Sequence, residues 1–174
     1  RTQTFAGRPR RLPVGRFDFH FADGVRPVTA ELTYATGMLR VTLSSGASVS
    51  LVVALKRNIM YVEDPSHAIT RVSLHPASDF PKARDFNGER GVAPYELLED
   101  GWRIVLPEDP GMTFRAVRTD YGFKIFTDDD GDDSGRAEQI AFTADWWGKF
   151  CAKTARVTTP DDWWNRFYDF NLYK

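Results

Sequence analysis

The sequence predicts a mainly β protein, an antiparallel β-sandwich with short helices near its carboxyl end. Apolar and polar residues alternate from Phe17 to Leu55, which places one face of each strand in a core and the other in water. Asp23-Gly24, Thr36-Gly37 and Ser45-Gly46 separate these runs, and glycine readily adopts the positive φ that tight hairpin turns need. Helix-capping signals occur only beyond residue 126.

The alternation continues in shorter segments after residue 63. Further strands are predicted at 68–74, 102–106, 114–117 and 123–126, and the last two flank a hairpin turn at 120–122. Residues 79–92 are polar and typical of a loop. About eight to ten strands separated by regular turn signals are typical of a sandwich or barrel.

The chain divides into three parts by composition. Residues 1–13, rich in Arg and Pro, are expected to form a flexible basic arm on the surface, a phosphate-binding arm being the alternative. Residues 14–135 are expected to form the β-sandwich domain, and residues 136–174 a helical aromatic segment packed on it.

Charge and composition exclude several classes of function. The 174 residues include 23 basic and 24 acidic side chains, so no net field favours nucleic acid. Cys151 is the single cysteine, which excludes an internal disulfide, and no apolar run is long enough for a transmembrane helix. The compartment stays open, cytoplasmic or secreted.

Known catalytic motifs are absent from the sequence. It contains no phosphate loop, dinucleotide fingerprint, G-x-S-x-G elbow or H-E-x-x-H motif. His20, His67 and His75 do not have the spacing of a metal triad, and the acidic run 128–133 does not fit the EF-hand pattern, so a solvated loop is expected there. The sequence therefore predicts no enzyme, no cofactor and no metal, with a calcium site in 128–133 as the alternative for that loop.

A duplicated aromatic motif marks the carboxyl-terminal segment. DWWGKF at 145–150 is repeated as DWWNRF at 162–167. Two short helices are predicted, with Thr143 and Thr159 as N-caps. Because residues four apart share a helix face, we expect two tryptophans to pack inward with their phenylalanines, Trp146 and Trp163. Trp147 and Trp164 would then face outward, as an interface to a partner or to another copy in a homo-oligomer.

The β-rich half also resembles a known family. HFADG at 20–24, GMLR at 37–40 with Ser45-Gly46 just after it, and VSLVV at 49–53 are similar to the H-F-A-N-G, G-M-L-R and I-T-V-A-V segments of the fungal fruit-body lectins. The sheets of these lectins share an architecture with the actinoporins. The resemblance covers residues 17 to about 95.

This resemblance implies a β-sandwich lectin that binds galactose- and N-acetylhexosamine-containing glycans without metal. The first implied pocket contains Ala22, Thr36 and Gly37, with Lys56 or Arg57. The second contains Glu63, Asp64, Arg90 and Tyr95.

Independently of the family, two further residues suit a sugar site. Asp23 offers hydrogen-bond acceptors to sugar hydroxyls, and Tyr61 offers an aromatic ring to the apolar sugar face. The alternative function is a non-enzymatic interaction or assembly module that uses the tryptophan pairs.

Overall fold

The computed structural model describes residues 2–5, 8–11, 15–76, 95–106, 109–127, 131–154 and 158–173. These residues form twelve strands and two helices, which confirms the mainly β fold with helices at the carboxyl end. The strands are β1 (Thr2–Phe5), β2 (Arg8–Arg11), β3 (Gly15–Phe21), β4 (Pro27–Thr33), β5 (Met38–Leu43), β6 (Ser48–Val53), β7 (Ile59–Glu63), β8 (Ile69–Pro76), β9 (Tyr95–Leu98), β10 (Gly101–Leu106), β11 (Asp109–Thr119) and β12 (Gly122–Thr127). The helices are α1 (Arg136–Lys153) and α2 (Asp162–Tyr173).

Eight strands form one antiparallel sheet in the order β4-β5-β6-β7-β12-β11-β10-β9. Two meanders build it, β4 to β7 and β9 to β12, and they join where β12 pairs with β7. Strand β8 leaves this sheet and pairs with β3, so β3 and β8 form a separate two-stranded ribbon. Both faces of the main sheet carry apolar side chains that other elements must cover.

The ribbon covers one face of the main sheet, in a sandwich-like arrangement. The side chains of Phe17, Phe19 and Phe21 on β3 pack against a buried cluster that includes Val62 of β7 and Phe123 of β12. These phenylalanines alternate along β3, as the period-two spacing predicts. Burial of this apolar surface is the main stabilising contribution on that face.

Helix α1 covers part of the other face. Ile140 packs against a second cluster that contains Ile59, Tyr61 and Phe126. Thr143 accepts a hydrogen bond from the backbone N–H of Leu55 at 3.3 Å. We call the two sides of the main sheet the ribbon face and the helix face.

The predicted glycine turns occur where the sequence places them. Gly24, Gly37 and Gly46 have φ values of 75°, 64° and 84°. Strands β11 and β12 join through the predicted hairpin, since Thr119 pairs with Gly122. These turns set the register of both meanders.

The helix starts differ from the sequence prediction. Helix α1 begins at Arg136 after Gly135, so Thr143 is not an N-cap but a buried residue in the middle of the helix. The prediction was wrong because a threonine that bonds a neighbouring strand has the same sequence pattern as a capping threonine. At α2 the carboxylate of Asp161 accepts a hydrogen bond from Trp163 N–H at 2.8 Å, so Asp161 rather than Thr159 caps the helix.

The amino-terminal segment contains regular structure that the sequence did not predict. Strands β1 and β2 pair antiparallel, with Thr2 opposite Arg11 and Phe5 opposite Arg8. Each strand is only four residues long, which is too short for a recognisable alternation pattern. The predicted loop at 79–92 lies outside the described residues.

Candidate functional site

The sequence-predicted binding residues lie at two opposite ends of the main sheet. Thr36 and Gly37 form the turn between β4 and β5, at the same end as the loop 54–58. Ala22 and Asp23 lie at the other end of β4, where the N–H of Ala22 donates to the carbonyl of Ala68 at 2.8 Å. A seven-residue strand separates the two ends by about 20 Å. The structure therefore does not bring Ala22 together with Thr36 and Gly37.

At the Gly37 end, the predicted residues contact other parts of the protein. The Lys56 ammonium lies 3.8 Å from the centre of the Phe142 ring. Arg57 donates to the carbonyl of Asp132 at 2.8 Å and forms an ion pair with its carboxylate at 3.6 Å. Hydrogen bonds from Ser134 to the Asp132 carboxylate lower its pKa, with a smaller contribution from Arg57. Lys56 therefore contacts α1, and Arg57 contacts the segment just before α1, so both side chains already have partners within the protein.

Two predicted ligand residues are buried and have structural roles. Tyr61 is 0% exposed, and its hydroxyl donates to Gln139 of α1 at 3.1 Å. Burial raises the pKa of the Tyr61 phenol. Asp64 is 1% exposed and accepts hydrogen bonds from the Ile69 N–H at 2.7 Å and from the Ser66 hydroxyl at 2.9 Å. Neither side chain can touch a sugar, so both assignments are corrected.

The second implied pocket is also not assembled from the residues that the structure describes. Glu63 ends β7, whereas Tyr95 begins β9, four strands away in the sheet order. Neighbouring strands lie about 4.8 Å apart, so the two backbones are separated by roughly 19 Å. Arg90 lies outside the described residues.

Glu63 instead borders a groove on the helix face. The groove has a volume of about 420 Å³ and is lined by Ser48, Ser50, Glu63, Pro65, His67, Asp120 and Tyr121. Ser50 lies directly opposite Glu63 in the β6–β7 pairing. The Glu63 carboxylate accepts a hydrogen bond from Arg136 at the start of α1, which fixes its position at one wall.

Two groove residues have notable local surroundings. His67 is exposed and has a φ of 50°, the only positive φ among the described residues other than glycine. The hydroxyl of Tyr121 donates to Asp133 at 2.9 Å, and burial followed by this hydrogen bond raises the pKa of Tyr121. The Arg136 guanidinium lies 4.0 Å from the centre of the Tyr121 ring. That ring is therefore held in a fixed orientation.

Most of this groove is not evident from the sequence. The serines at 48 and 50 alternate with Val49 and Leu51, so the period-two pattern already placed them on the polar face of β6. His67, Asp120 and Tyr121 come from two turns that meet only in the folded chain, where Asp64 N–H donates to the Tyr121 carbonyl at 2.7 Å. No spacing in the sequence indicates that contact.

The two aromatic motifs form triads with the same internal geometry. Trp146 stacks on Phe150 with ring centres 5.3 Å apart, and Trp163 stacks on Phe167 at 5.2 Å. In each triad the second tryptophan meets the first edge-on, at 4.9 Å. We call Trp146, Trp147 and Phe150 the α1 triad, and Trp163, Trp164 and Phe167 the α2 triad.

In the α1 triad the orientations of the two tryptophans are the opposite of those predicted. Trp147 is partly buried against Gly37, whereas Trp146 is 41% exposed. The spacing of Trp146 and Phe150 shows that they share a helix face, but it does not show which face meets the sheet. Gly37 decides this, because a residue without a side chain leaves room for the Trp147 indole.

The α2 triad is exposed on all three of its rings. Trp163 is 55% exposed, Trp164 54% and Phe167 46%. The prediction that Trp163 packs inward is therefore wrong, while Trp164 is exposed as predicted. Trp164 differs in this respect from Trp147, the equivalent residue of the first motif.

The structure provides no metal centre within the described ranges, where no three His, Cys, Asp or Glu side chains are grouped as ligands. Residues 128–130 of the acidic run lie outside those ranges. Asp132 and Asp133 contact Ser134, Arg57, Tyr121 and Lys124. Cys151 is partly buried, and its thiol lies 3.8 Å from the carbonyl oxygen of Tyr34. In the described part of the chain, neither helix has an apolar stretch that could cross a bilayer.

Comparison with protein-family models, with curated proteins and with solved structures finds no match.

Proposed function

We propose that this protein is a non-enzymatic assembly module that self-associates through the α2 triad. The observation that carries the proposal is the exposure of Trp163, Trp164 and Phe167 on one short helix, at 55%, 54% and 46%. Tryptophan is the residue most enriched among interface hot spots. An exposed apolar cluster bordered by polar residues is typical of an interaction surface.

A second copy of the same helix suits this surface because a twofold contact brings the same patch of both copies together. The three rings occupy one side of α2, so two copies packed about an axis near Trp164 would bury these rings against each other. Asp162 lies two residues before Trp164 and therefore points to the opposite side of the helix, about 200° away. Asp162 is exposed and stays in water in such a dimer.

Sedimentation equilibrium of the full chain tests this proposal. We expect a concentration-dependent dimer whose dissociation constant rises at least tenfold in Trp164→Ala. The matched control is Leu97→Ala, since Leu97 is 69% exposed on β9, far from α2 along the chain. Leu97→Ala should leave the dissociation constant unchanged.

A charge change at Asp162 tests whether the contact is confined to the side of α2 that carries the triad. Asp162→Asn should leave the dissociation constant unchanged, because Asp162 lies on the side of the helix opposite Trp164. A wild-type chain that stays monomeric throughout the measurable concentration range would contradict self-association. Equal dimerisation of wild type and Trp164→Ala would place the interface elsewhere.

The second candidate function is glycan binding, favoured by the groove on the helix face. Ser48, Ser50, Glu63 and Asp120 offer hydroxyl and carboxylate groups within a volume of about 420 Å³. Sugar hydroxyls are recognised by such planar and hydroxyl groups. The groove thus supplies the polar part of a sugar site at Glu63, one of the residues that the lectin resemblance implies.

A glycan array probed with the full chain tests this second candidate. Binding to galactose- or N-acetylhexosamine-containing glycans that is weakened about tenfold or more by Ser50→Ala would support it, since one hydrogen-bonding group contributes about 1–3 kcal/mol. Thr33→Ala is the control, because Thr33 lies on the same face at the other end of the sheet. An array without hits removes the glycan candidate and leaves self-association standing.

A further inference from the structure

The outer surface of the ribbon carries a compact group of polar side chains. Pairing of β3 with β8 sets Asp18 opposite Ser73 and His20 opposite Arg71. Their neighbours Phe17, Phe19 and Val72 pack against the main sheet. Because strand side chains alternate between faces, Asp18, His20, Arg71 and Ser73 lie on the side that faces away from the core.

Three of these residues meet at one point. The Nε2 atom of His20 lies 2.7 Å from Oγ of Ser73 and 3.4 Å from Nη2 of Arg71. A guanidinium only donates hydrogen bonds, so Nε2 faces Arg71 as an acceptor in the neutral ring. The side chains are partly buried for His20 and Ser73 and exposed for Arg71.

The distance between Ser73 Oγ and His20 Nε2 is that of a serine nucleophile and its histidine base. The other groups that such a nucleophile requires are not present among the described residues. A serine nucleophile needs a histidine that takes its proton, oriented by a third group. Here Nε2 already has the Arg71 guanidinium as a second neighbour, at 3.4 Å. Within the described residues no carboxylate contacts His20. The group is therefore better suited to bind an anion than to attack an acyl carbon.

The two arginines on this surface differ in their partners. Arg16 contacts Asp18 through both Nε and Nη2, at 2.8 and 2.9 Å, so a carboxylate already occupies its fork. His75 contacts the same carboxylate at 3.2 Å. For Arg71 the described residues provide no carboxylate, only the His20 ring. Among the described residues, the positive charge of Arg71 therefore has a hydroxyl beside it but no carboxylate.

We propose that Arg71, Ser73 and His20 form a binding site for a tetrahedral oxyanion, the phosphate or sulfate group of a monoester. The planar guanidinium binds two oxygens of such a group in a bidentate manner. The Ser73 hydroxyl donates to a third oxygen. The His20 ring contacts both the hydroxyl and the guanidinium and so keeps these two donors side by side. This site is independent of both functions proposed above, since it lies on the outer surface of the ribbon.

Nuclear magnetic resonance titration of the full chain with inorganic phosphate and with sulfate tests the site. Ionic strength is held constant with sodium chloride. We expect saturable shifts confined to the resonances of Arg71, Ser73 and His20, with a dissociation constant on the order of 10 mM, as befits an exposed charge pair. Glucose 6-phosphate and glucose 6-sulfate then distinguish the two sources of the anion.

Variants decide whether the arginine carries the binding. Arg71→Gln should raise the dissociation constant at least tenfold, and Ser73→Ala, which removes one hydroxyl, should raise it about threefold. Lys149→Gln, which removes an exposed cation on α1, should leave it unchanged. Identical shifts with chloride alone, or equal binding by wild type and Arg71→Gln, would overturn the proposal. Circular dichroism of each variant shows whether it folds, and Ser73→Ala provides the test if Arg71→Gln does not.

Discussion

The indole of Trp147 lies directly over Gly37, so closely that a methyl group added to the glycine would be 2.5 Å from Cδ1 of the ring. This contact joins α1 to the turn between β4 and β5. Gly148 lies beside the same turn, where an added methyl group would be 3.5 Å from the Ala35 carbonyl oxygen. A segment 110 residues away along the chain therefore depends on one glycine of the first meander.

Gly37→Ala should destabilise the protein more than Gly46→Ala. Both glycines have positive φ, at 64° and 84°, and a side chain in this conformation costs about 1–2 kcal/mol. Only Gly37 also meets an indole, which adds about 1–3 kcal/mol of overpacking. Chemical denaturation measures both changes. In a Trp147→Ala background the cost of Gly37→Ala should fall towards that of Gly46→Ala, and equal costs in both backgrounds would show that the contact is unimportant.

Trp147→Ala and Trp164→Ala should differ in stability although their motifs are alike. Trp147 is partly buried on Gly37, so its truncation should cost about 2–3 kcal/mol, somewhat less than a fully buried tryptophan. Trp164 is 54% exposed, and its truncation should change the free energy of unfolding by about 0.5 kcal/mol or less. Thermal unfolding of both variants provides the measurement. Equal losses at the two positions would mean that α2 packs as firmly as α1.

Asp64→Ala should destabilise the fold rather than remove a ligand. The carboxylate accepts from the buried Ile69 N–H and from Ser66, and losing a charged acceptor from a buried donor costs about 2–4 kcal/mol. Asp23→Ala is the control, since Asp23 is an exposed turn residue and should change stability by about 0.5 kcal/mol or less. Urea denaturation compares the two. A stable Asp64→Ala variant with impaired glycan binding would restore Asp64 as a ligand residue.

Alkaline pH should destabilise the protein through two tyrosines. Burial raises the pKa of Tyr61 and Tyr121 above the ordinary value of 10.0, so the folded state holds these protons more tightly than the unfolded state. Their contribution to stability is complete below pH 10 and is lost as the pH rises towards the folded-state pKa values. Phenolate absorbance should show late ionisation that coincides with unfolding. The Tyr61→Phe and Tyr121→Phe variants should each remove one late-ionising group, and unchanged titration curves would contradict this.

The sequence by itself determined the fold class, the turns and the aromatic motif. Alternation from Phe17 to Leu55 placed Val49 and Leu51 on one face and Ser48 and Ser50 on the other, because strand side chains follow a period of two whatever surrounds them. The turns at Gly24, Gly37 and Gly46 were equally local, since their positive φ depends on the residue itself. The lectin resemblance and the oligomer remain predictions.

Only the tertiary structure decided which of these residues meet. Tyr61 has an aromatic ring and a polar hydroxyl, so the sequence is compatible with either an exposed sugar-binding residue or a core residue. In the structure α1 covers Tyr61, and its hydroxyl donates to Gln139, so Tyr61 is a core residue. The choice between Trp146 and Trp147 depended on the empty space above Gly37, a contact between distant segments. Local patterns determine the face of a strand on which a side chain lies, whereas long-range packing determines what covers that face. A candidate binding site depends on this long-range packing.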